Sequence, residues 1–127
     1  MKKKAKGFLN TLKIESVGKH ILLEFWGAKG LNSIKIIKKA LTQAVDTSGA
    51  TLLKIELHKF SPQGISGIAL IAESHISIHT WPQYQYAAID IFTCGDKVDP
   101  YQAISSLKST LKPKDIQLLE VKRGVLK

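Results

Sequence analysis

Residues 67 to 93 constrain the fold of this chain more than any other stretch. An unbroken apolar run, Gly67-Ile68-Ala69-Leu70-Ile71-Ala72, precedes an alternating segment, His75 to Trp81. In that segment Ile76, Ile78 and Thr80 fall on one side and His75, Ser77 and His79 on the other. Pro82-Gln83-Tyr84-Gln85 then turns the chain, and Tyr86 to Thr93 returns. So short a turn makes the pair antiparallel, because a parallel pair needs a long crossover. Centring the turn between Gln83 and Tyr84 sets His79 opposite Ala88 and places Cys94 on the histidine face, whereas a register shifted by one residue sends Cys94 to the other face; the first is taken because it gathers the reactive groups. The apolar run before the pair is expected to be a central strand covered on both faces.

The remaining elements follow from period and punctuation. His20 to Trp26 reads as a largely buried strand stopped by Gly27. From Leu31 to about Asp46, Ile34, Ile37, Leu41 and Val45 recur at helical spacing, with Lys35, Lys38, Lys39 and Gln43 on the outer side. Asn32 or Ser33 can cap its start, and Gly49 lies just beyond its end. Thr51 to Phe60 alternates, Leu53, Ile55 and Leu57 against Lys54, Glu56 and His58, and Ser61-Pro62-Gln63-Gly64 breaks it. Asp99-Pro100 starts a second helix with Ala103, Ile104, Leu107 and Leu111 as its buried stripe. Pro113 ends it, and Ile116 to Val121 forms a last strand. The order β-α-β-β-β-β-α-β predicts an α+β fold, a two-layer sandwich of a mostly antiparallel β-sheet with two helices packed on one face. Residues 1–17 are a basic extension, expected to be partly disordered, and residues 18–127 form one domain.

The 127 residues carry a net charge of +9, which raises the question of a nucleic-acid partner. The distribution of charge argues against one. Four lysines lie within the first six residues, Ser61 to Cys94 contains no lysine or arginine, and Arg123 is the one arginine among 19 basic residues, whereas base readout leans on arginine. No apolar run reaches the length that spans a bilayer, and the basic start is not followed by the apolar segment of a signal peptide. Cys94 is the single cysteine, which fits a reducing compartment. We therefore expect a cytoplasmic protein with neither a membrane nor a nucleic-acid partner.

Reactive groups crowd into Ala72-Glu73-Ser74-His75-Ile76-Ser77-Ile78-His79-Thr80-Trp81-Pro82. Residue spacing by itself leaves the chemistry of that stretch open. A metal site is weakly supported: His75, His79 and Glu73 share a strand face, only Cys94 could complete a set, and no Cys-x-x-Cys spacing exists. No metal is expected. A Cys–His hydrolase would need an orienting Asn or Asp, and none can be picked out.

The whole string goes further. Gly64-Ile-Ser-Gly67, Ala72-Glu-Ser-His75, Ile78-His-Thr-Trp-Pro82, Tyr86-Ala-Ala-Ile-Asp90 and Phe92-Thr-Cys-Gly95, together with Gly18-Lys19-His20 and the Asp99-Pro100 helix start, resemble the short prokaryotic S-adenosylmethionine decarboxylases. These are pyruvoyl-dependent enzymes made as self-cleaving proenzymes, which supply the aminopropyl donor for spermidine. The resemblance covers about residues 18 to 113. It implies that the Ser74 hydroxyl attacks the Glu73 carbonyl and that the chain divides into a β chain, residues 1–73, and an α chain, residues 74–127, capped by a covalent pyruvoyl group derived from Ser74. The cap forms a Schiff base with the substrate amine and acts as the electron sink for decarboxylation. The resemblance also assigns processing proton transfers to His79 with Ser66, and reprotonation of the substrate carbon to Cys94, a thiol being mostly protonated at neutral pH. Substrate binding falls to Glu73, to Phe60 stacking on the adenine ring and to the residue at 83. The implied assembly is at least a homodimer of cleaved protomers, in keeping with a sheet face that carries His75, Ser77 and His79 and has no helices of its own.

Two positions depart from the family pattern. Gln83 stands where a glutamate usually follows His-Thr-Trp-Pro, and Ala28-Lys29 stands where many relatives carry Cys-Asp. The neutral amide at 83 loses the charge-assisted strength of a carboxylate toward ribose hydroxyls, on the order of 1 kcal/mol or more. It also raises the alternative that the same scaffold decarboxylates arginine or ornithine.

Overall fold

The computed structural model describes residues 15–126. In chain order these form β1 (Ser16–Trp26), α1 (Ile34–Ser48), β2 (Thr51–Lys59), β3 (Ile65–Ala72), β4 (Ser74–Trp81), a 3-10 turn (Pro82–Tyr84), β5 (Tyr86–Cys94), α2 (Pro100–Leu111) and β6 (Asp115–Val125). The six strands make one sheet in the order β2-β3-β4-β5-β1-β6, and every pairing in it is antiparallel. Both helices lie on one face and share a single core with it, in which Ile21, Phe25, Ile76, Ile78 and Ile91 of the sheet meet Ile37, Leu41, Leu107 and Leu111 of the helices, all fully buried. The two-layer α+β sandwich is therefore the observed fold.

Local chemistry explains the element ends. Ser33, not Asn32, caps α1, its Oγ accepting from Ile36 N at 3.2 Å. Asn32 instead accepts from Gly64 N at 3.0 Å and ties the pre-helix loop to the start of β3. Gly49 closes α1 at φ 83°, a left-handed conformation that glycine adopts without cost. Asp99 caps α2 by accepting from Tyr101 N at 2.9 Å, with Pro100 in the first turn. The β4–β5 hairpin has the expected register, His79 opposite Ala88, and Gln85 completes its turn at φ 52°.

Four expectations need correction. Helix α1 begins at Ile34, because the loop before it is held by Asn32 and Ser33 rather than wound into the helix. Strands β1 and β6 pair along their whole length and are longer than expected; Ser16 and Val17 belong to β1, so the extension ends before them, and its first fourteen residues lie outside the described residues. In β2 a register irregularity between Leu52 and Lys54 breaks the alternation, leaving Leu53 65% exposed and only Ile55 and Leu57 turned toward the core. Strand β3 is central but covered on one face only: Ile65, Ala69 and Ile71 are buried, while Leu70 is 43% exposed on the other side. No helix among the described residues is long and apolar enough to cross a membrane.

Candidate active site

The face of the sheet away from the helices carries the chemistry. Strand alternation delivers His20 and Glu24 from β1, Ser66 from β3, His75, Ser77 and His79 from β4, and Asp90, Phe92 and Cys94 from β5. The expected reactive residues separate there into two groups, one near each end of β4.

The first group sits at the tip of the β3–β4 hairpin. Ile71 is the last β3 residue paired with β4, opposite Ser74, and Glu73, exposed, is the one residue between the two strands. Ser74 is half-buried and has φ 111°, a conformation in which a β-carbon is costly, by roughly 1–3 kcal/mol. Its Oγ lies 3.5 Å from the Sγ of half-buried Cys94, at the far end of the neighbouring strand. The strained residue thus carries a hydroxyl that lies beside a thiol.

The second group lies toward the other end of β4. The cross-strand pair Ser66 and His79 is hydrogen bonded, Oγ to Nδ1, at 2.8 Å. Phe60, just past the end of β2, is 49% exposed and packs edge-on against the His58 ring at 4.6 Å. Gln83 is exposed on the 3-10 turn. An open groove of about 490 Å³ runs beside this group, lined by Glu56, His58, Ser66, His75, Ser77 and His79 among others. Along β4, His79 is five residues from Ser74, roughly 16 Å at the rise of an extended strand, and Gln83 is farther still. Ser74 is therefore out of hydrogen-bond reach of His79 in the same chain.

Between the groups lies a network that residue spacing did not reveal. Asp90 Oδ2 meets His75 Nε2 at 2.8 Å and His20 Nε2 at 2.7 Å, and Asp90 Oδ1 accepts from Ser77 Oγ. Arg123 Nη1 donates to His20 Nδ1 at 3.0 Å. Guanidinium nitrogens only donate, so His20 Nδ1 must accept and Nε2 must carry the proton given to Asp90. Burial alone would raise the Asp90 carboxyl, but the hydrogen bonds from Ser77, His75 and His20 outweigh it and hold the group below the usual carboxylate range. His20, His75 and Asp90 offer three ligand atoms within 4.8 Å of one another. A metal there would need a bare Nε2 on His20, which the Arg123 bond opposes, so the cluster is a hydrogen-bond network. The other conceivable set, His75, His79, Glu73 and Cys94, is not gathered: His79 is bonded to Ser66, and Cys94 lies against Ser74. His20, Asp90 and Arg123 come from three different strands, so no local pattern announces them.

Comparison with known proteins identifies the family. Residues 19–124 match the family model described as S-adenosylmethionine decarboxylase. The chain is 48% identical over 115 residues to a protein of Methanococcus maripaludis strain C5 named S-adenosylmethionine decarboxylase proenzyme, covering 89% of this chain and 94% of that one. A protein of the same name from Thermosipho melanesiensis is 45% identical over 113 residues, 87% of each chain. The crystal structure of the adenosylmethionine decarboxylase of Aquifex aeolicus VF5 superposes with a TM-score of 0.83 at 34% identity, covering 89% of this chain and 95% of that one. Sequence similarity and fold together place this chain in the S-adenosylmethionine decarboxylase family.

Proposed function

We propose that the chain is a proenzyme that cuts itself between Glu73 and Ser74 and then decarboxylates S-adenosylmethionine, supplying the aminopropyl donor for spermidine. The observation that carries this reading is the Ser74–Cys94 pair at the tip of a hairpin, with Ser74 at φ 111°. The names of the relatives support the proenzyme form and favour S-adenosylmethionine over arginine or ornithine.

The processing chemistry uses the chain's own atoms. Ser74 Oγ attacks the Glu73 carbonyl carbon, its proton passes to a base, and the peptide nitrogen leaves as an amine, so that an ester replaces the amide. Removal of the Ser74 α-proton expels Glu73 as a carboxylate and leaves dehydroalanine. This tautomerises, takes up water and releases ammonia, leaving a pyruvoyl cap on the chain 74–127. The strain at Ser74 is relieved when the bond breaks, which favours an attack on an otherwise inert amide. The pyruvoyl group supplies an electrophilic carbonyl and a sink for the electron pair that the departing carboxylate leaves behind. Cys94 Sγ lies beside that position, where the substrate carbon must receive a proton.

The base for processing comes from a second protomer in this reading. Ser74 is too far from His79 of its own chain, so the Ser66–His79 pair of one protomer completes the Ser74–Cys94 pair of the other. Phe60 and Gln83, at the same end as His79, bring the nucleoside contacts. The face that would be shared is apolar around its polar centre: Leu22, Trp26, Leu70, Trp81, Leu119 and Val121 are each more than a third exposed on it. No element among the described residues covers them.

Mass spectrometry of the purified protein tests the reading. Two chains, 1–73 and 74–127, with a carbonyl-bearing cap on the second, are expected from the wild type, and one intact chain from Ser74→Ala. Carbon dioxide release is expected from carboxyl-labelled S-adenosylmethionine and not from labelled arginine or ornithine. An uncut wild-type chain after prolonged incubation would overturn the proposal.

A further inference from the structure

We infer that Asp90, acting through His75, is the anchor that holds the reactive end of β4 in place after the chain is cut. The inference rests on reading Ser74 as the residue at the cut end. Before cleavage, Ser74 is held from both sides by the hairpin. Cleavage makes position 74 a chain terminus, and strand termini fray unless something ties them down. The first side chain beyond that terminus is His75, and its Nε2 is 2.8 Å from Asp90 Oδ2.

The carboxylate is well placed to act as a tether. Asp90 lies in the middle of β5, an inner strand paired to β4 on one side and β1 on the other. It also holds Ser77 through its other oxygen, so one carboxylate grips β4 at two successive positions on the same face. Hydrogen bonds to an ionised acceptor are roughly twice as strong as neutral ones. The anchor is itself held from behind: His20 of β1 donates to Asp90, and Arg123 of the edge strand β6 fixes the orientation of the His20 ring. Phe92 packs against both rings, stacked on His20 at 5.1 Å and edge-on to His75 at 6.1 Å. Four strands thus converge on the residue next to the reactive position.

None of these groups needs to touch substrate. A displacement of about 1 Å at a reacting centre can cost on the order of a hundredfold in rate. Asp90 and His75 are therefore positioning residues, and their loss should lower kcat while leaving KM almost unchanged, because Phe60 and Gln83 hold the nucleoside elsewhere.

The test compares His75→Leu with His75→Gln, whose amide nitrogen can reach Asp90 much as Nε2 does. Turnover is measured per cleaved, carbonyl-capped chain, so that processing and turnover are scored separately. His75→Leu is expected to lose ten- to a hundredfold in kcat with KM within threefold, and His75→Gln to recover to within fivefold of wild type. Hydrogen exchange in the first residues of the 74–127 chain is expected to speed up in the Leu variant and not in the Gln variant. Wild-type kcat in His75→Leu, or a Gln variant as impaired as the Leu variant, would overturn the anchor. Should His75→Leu fail to cut or fold, Ser77→Ala carries the same expectation at smaller size, and unchanged kcat and exchange there would also overturn it. A wild-type chain without a carbonyl cap would instead overturn the reading of Ser74.

Discussion

At position 83 a neutral amide stands where the family resemblance expects a carboxylate, and the difference has a calculable consequence. Gln83 is exposed on the turn after β4, on the side of the sheet end that carries Phe60 and His79, so it is free to contact a ligand lying across that end. Restoring the charge in Gln83→Glu should strengthen a ribose contact by about 1.4 kcal/mol, a tenfold lower KM for S-adenosylmethionine with kcat unchanged, read from steady-state kinetics. At Cys94 the expected change is of the opposite kind. Cys94→Ala should still yield both chains, yet its turnover should fall by about 10² to 10⁴, the range of a lost proton donor, and a gel beside a carbon dioxide assay separates the two effects. Asp90 adds a pH dependence whose sign follows from its partners. Its carboxyl lies below its ordinary value of 3.8 in the folded protein, so the stabilisation it provides is complete above that value and is lost as pH falls through the folded one. The melting-temperature difference between wild type and Asp90→Asn should accordingly be steady at neutral pH and shrink below about pH 4, as a thermal-unfolding series would show.

Elements show how far such residues can be anticipated. Thr80 is 6% exposed and bridges three segments: its Oγ1 donates to Leu31 O at 2.7 Å and accepts from Ile65 N at 2.9 Å, locking the pre-helix loop and the start of β3 onto β4. Thr80→Val keeps the shape and strands both partners, so a loss of about 1–3 kcal/mol is expected from urea unfolding in a Ser74→Ala background, where the chain stays in one piece. The period-two pattern of β4 was enough to place Thr80 on the buried face, but alternation left two registers open for β5, and the observed one, His79 opposite Ala88, is the one that sets Cys94 on the histidine face. Helix α2 was equally legible, because Asp99, Pro100 and the stripe Ala103, Ile104, Leu107 and Leu111 are local signals. Strand β2 was not, since a bulge between Leu52 and Lys54 moves side chains between faces without any marker residue. Strand β3 was read as covered on both faces because an apolar run reports residue type and not which chain supplies the cover. The Asp90 network escaped for a different reason: His20 and Arg123 are 103 residues apart, and only the sheet order brings them together.

At the scale of the whole molecule, the layout of β4 sets a geometric problem that one chain cannot solve. Ser74 and Cys94 occupy one end, Ser66 and His79 lie five strand positions away, and one continuous sheet holds the two groups apart. A two-fold pair of such sheets, open face to open face and running in opposite senses, would set each Ser74 near the His79 of the other protomer and bury the exposed Leu22, Leu70, Trp26 and Trp81 in the same step. The two requirements, completing the site and covering the apolar face, are then met by one interface. Complementation tests this directly. Neither Ser74→Ala nor His79→Ala should process when expressed alone. In a mixed dimer the native Ser74 of one chain faces the native His79 of the other, so one of its two sites is intact. Co-expression at equal levels should therefore cut about one site in four, and every cut chain should carry the His79→Ala substitution. If His79 acted on the serine of its own chain, no mixture would contain an intact site and no cleavage would appear. The identity of the cut chain, read by mass, distinguishes the two arrangements even where the yield of mixed dimer is low.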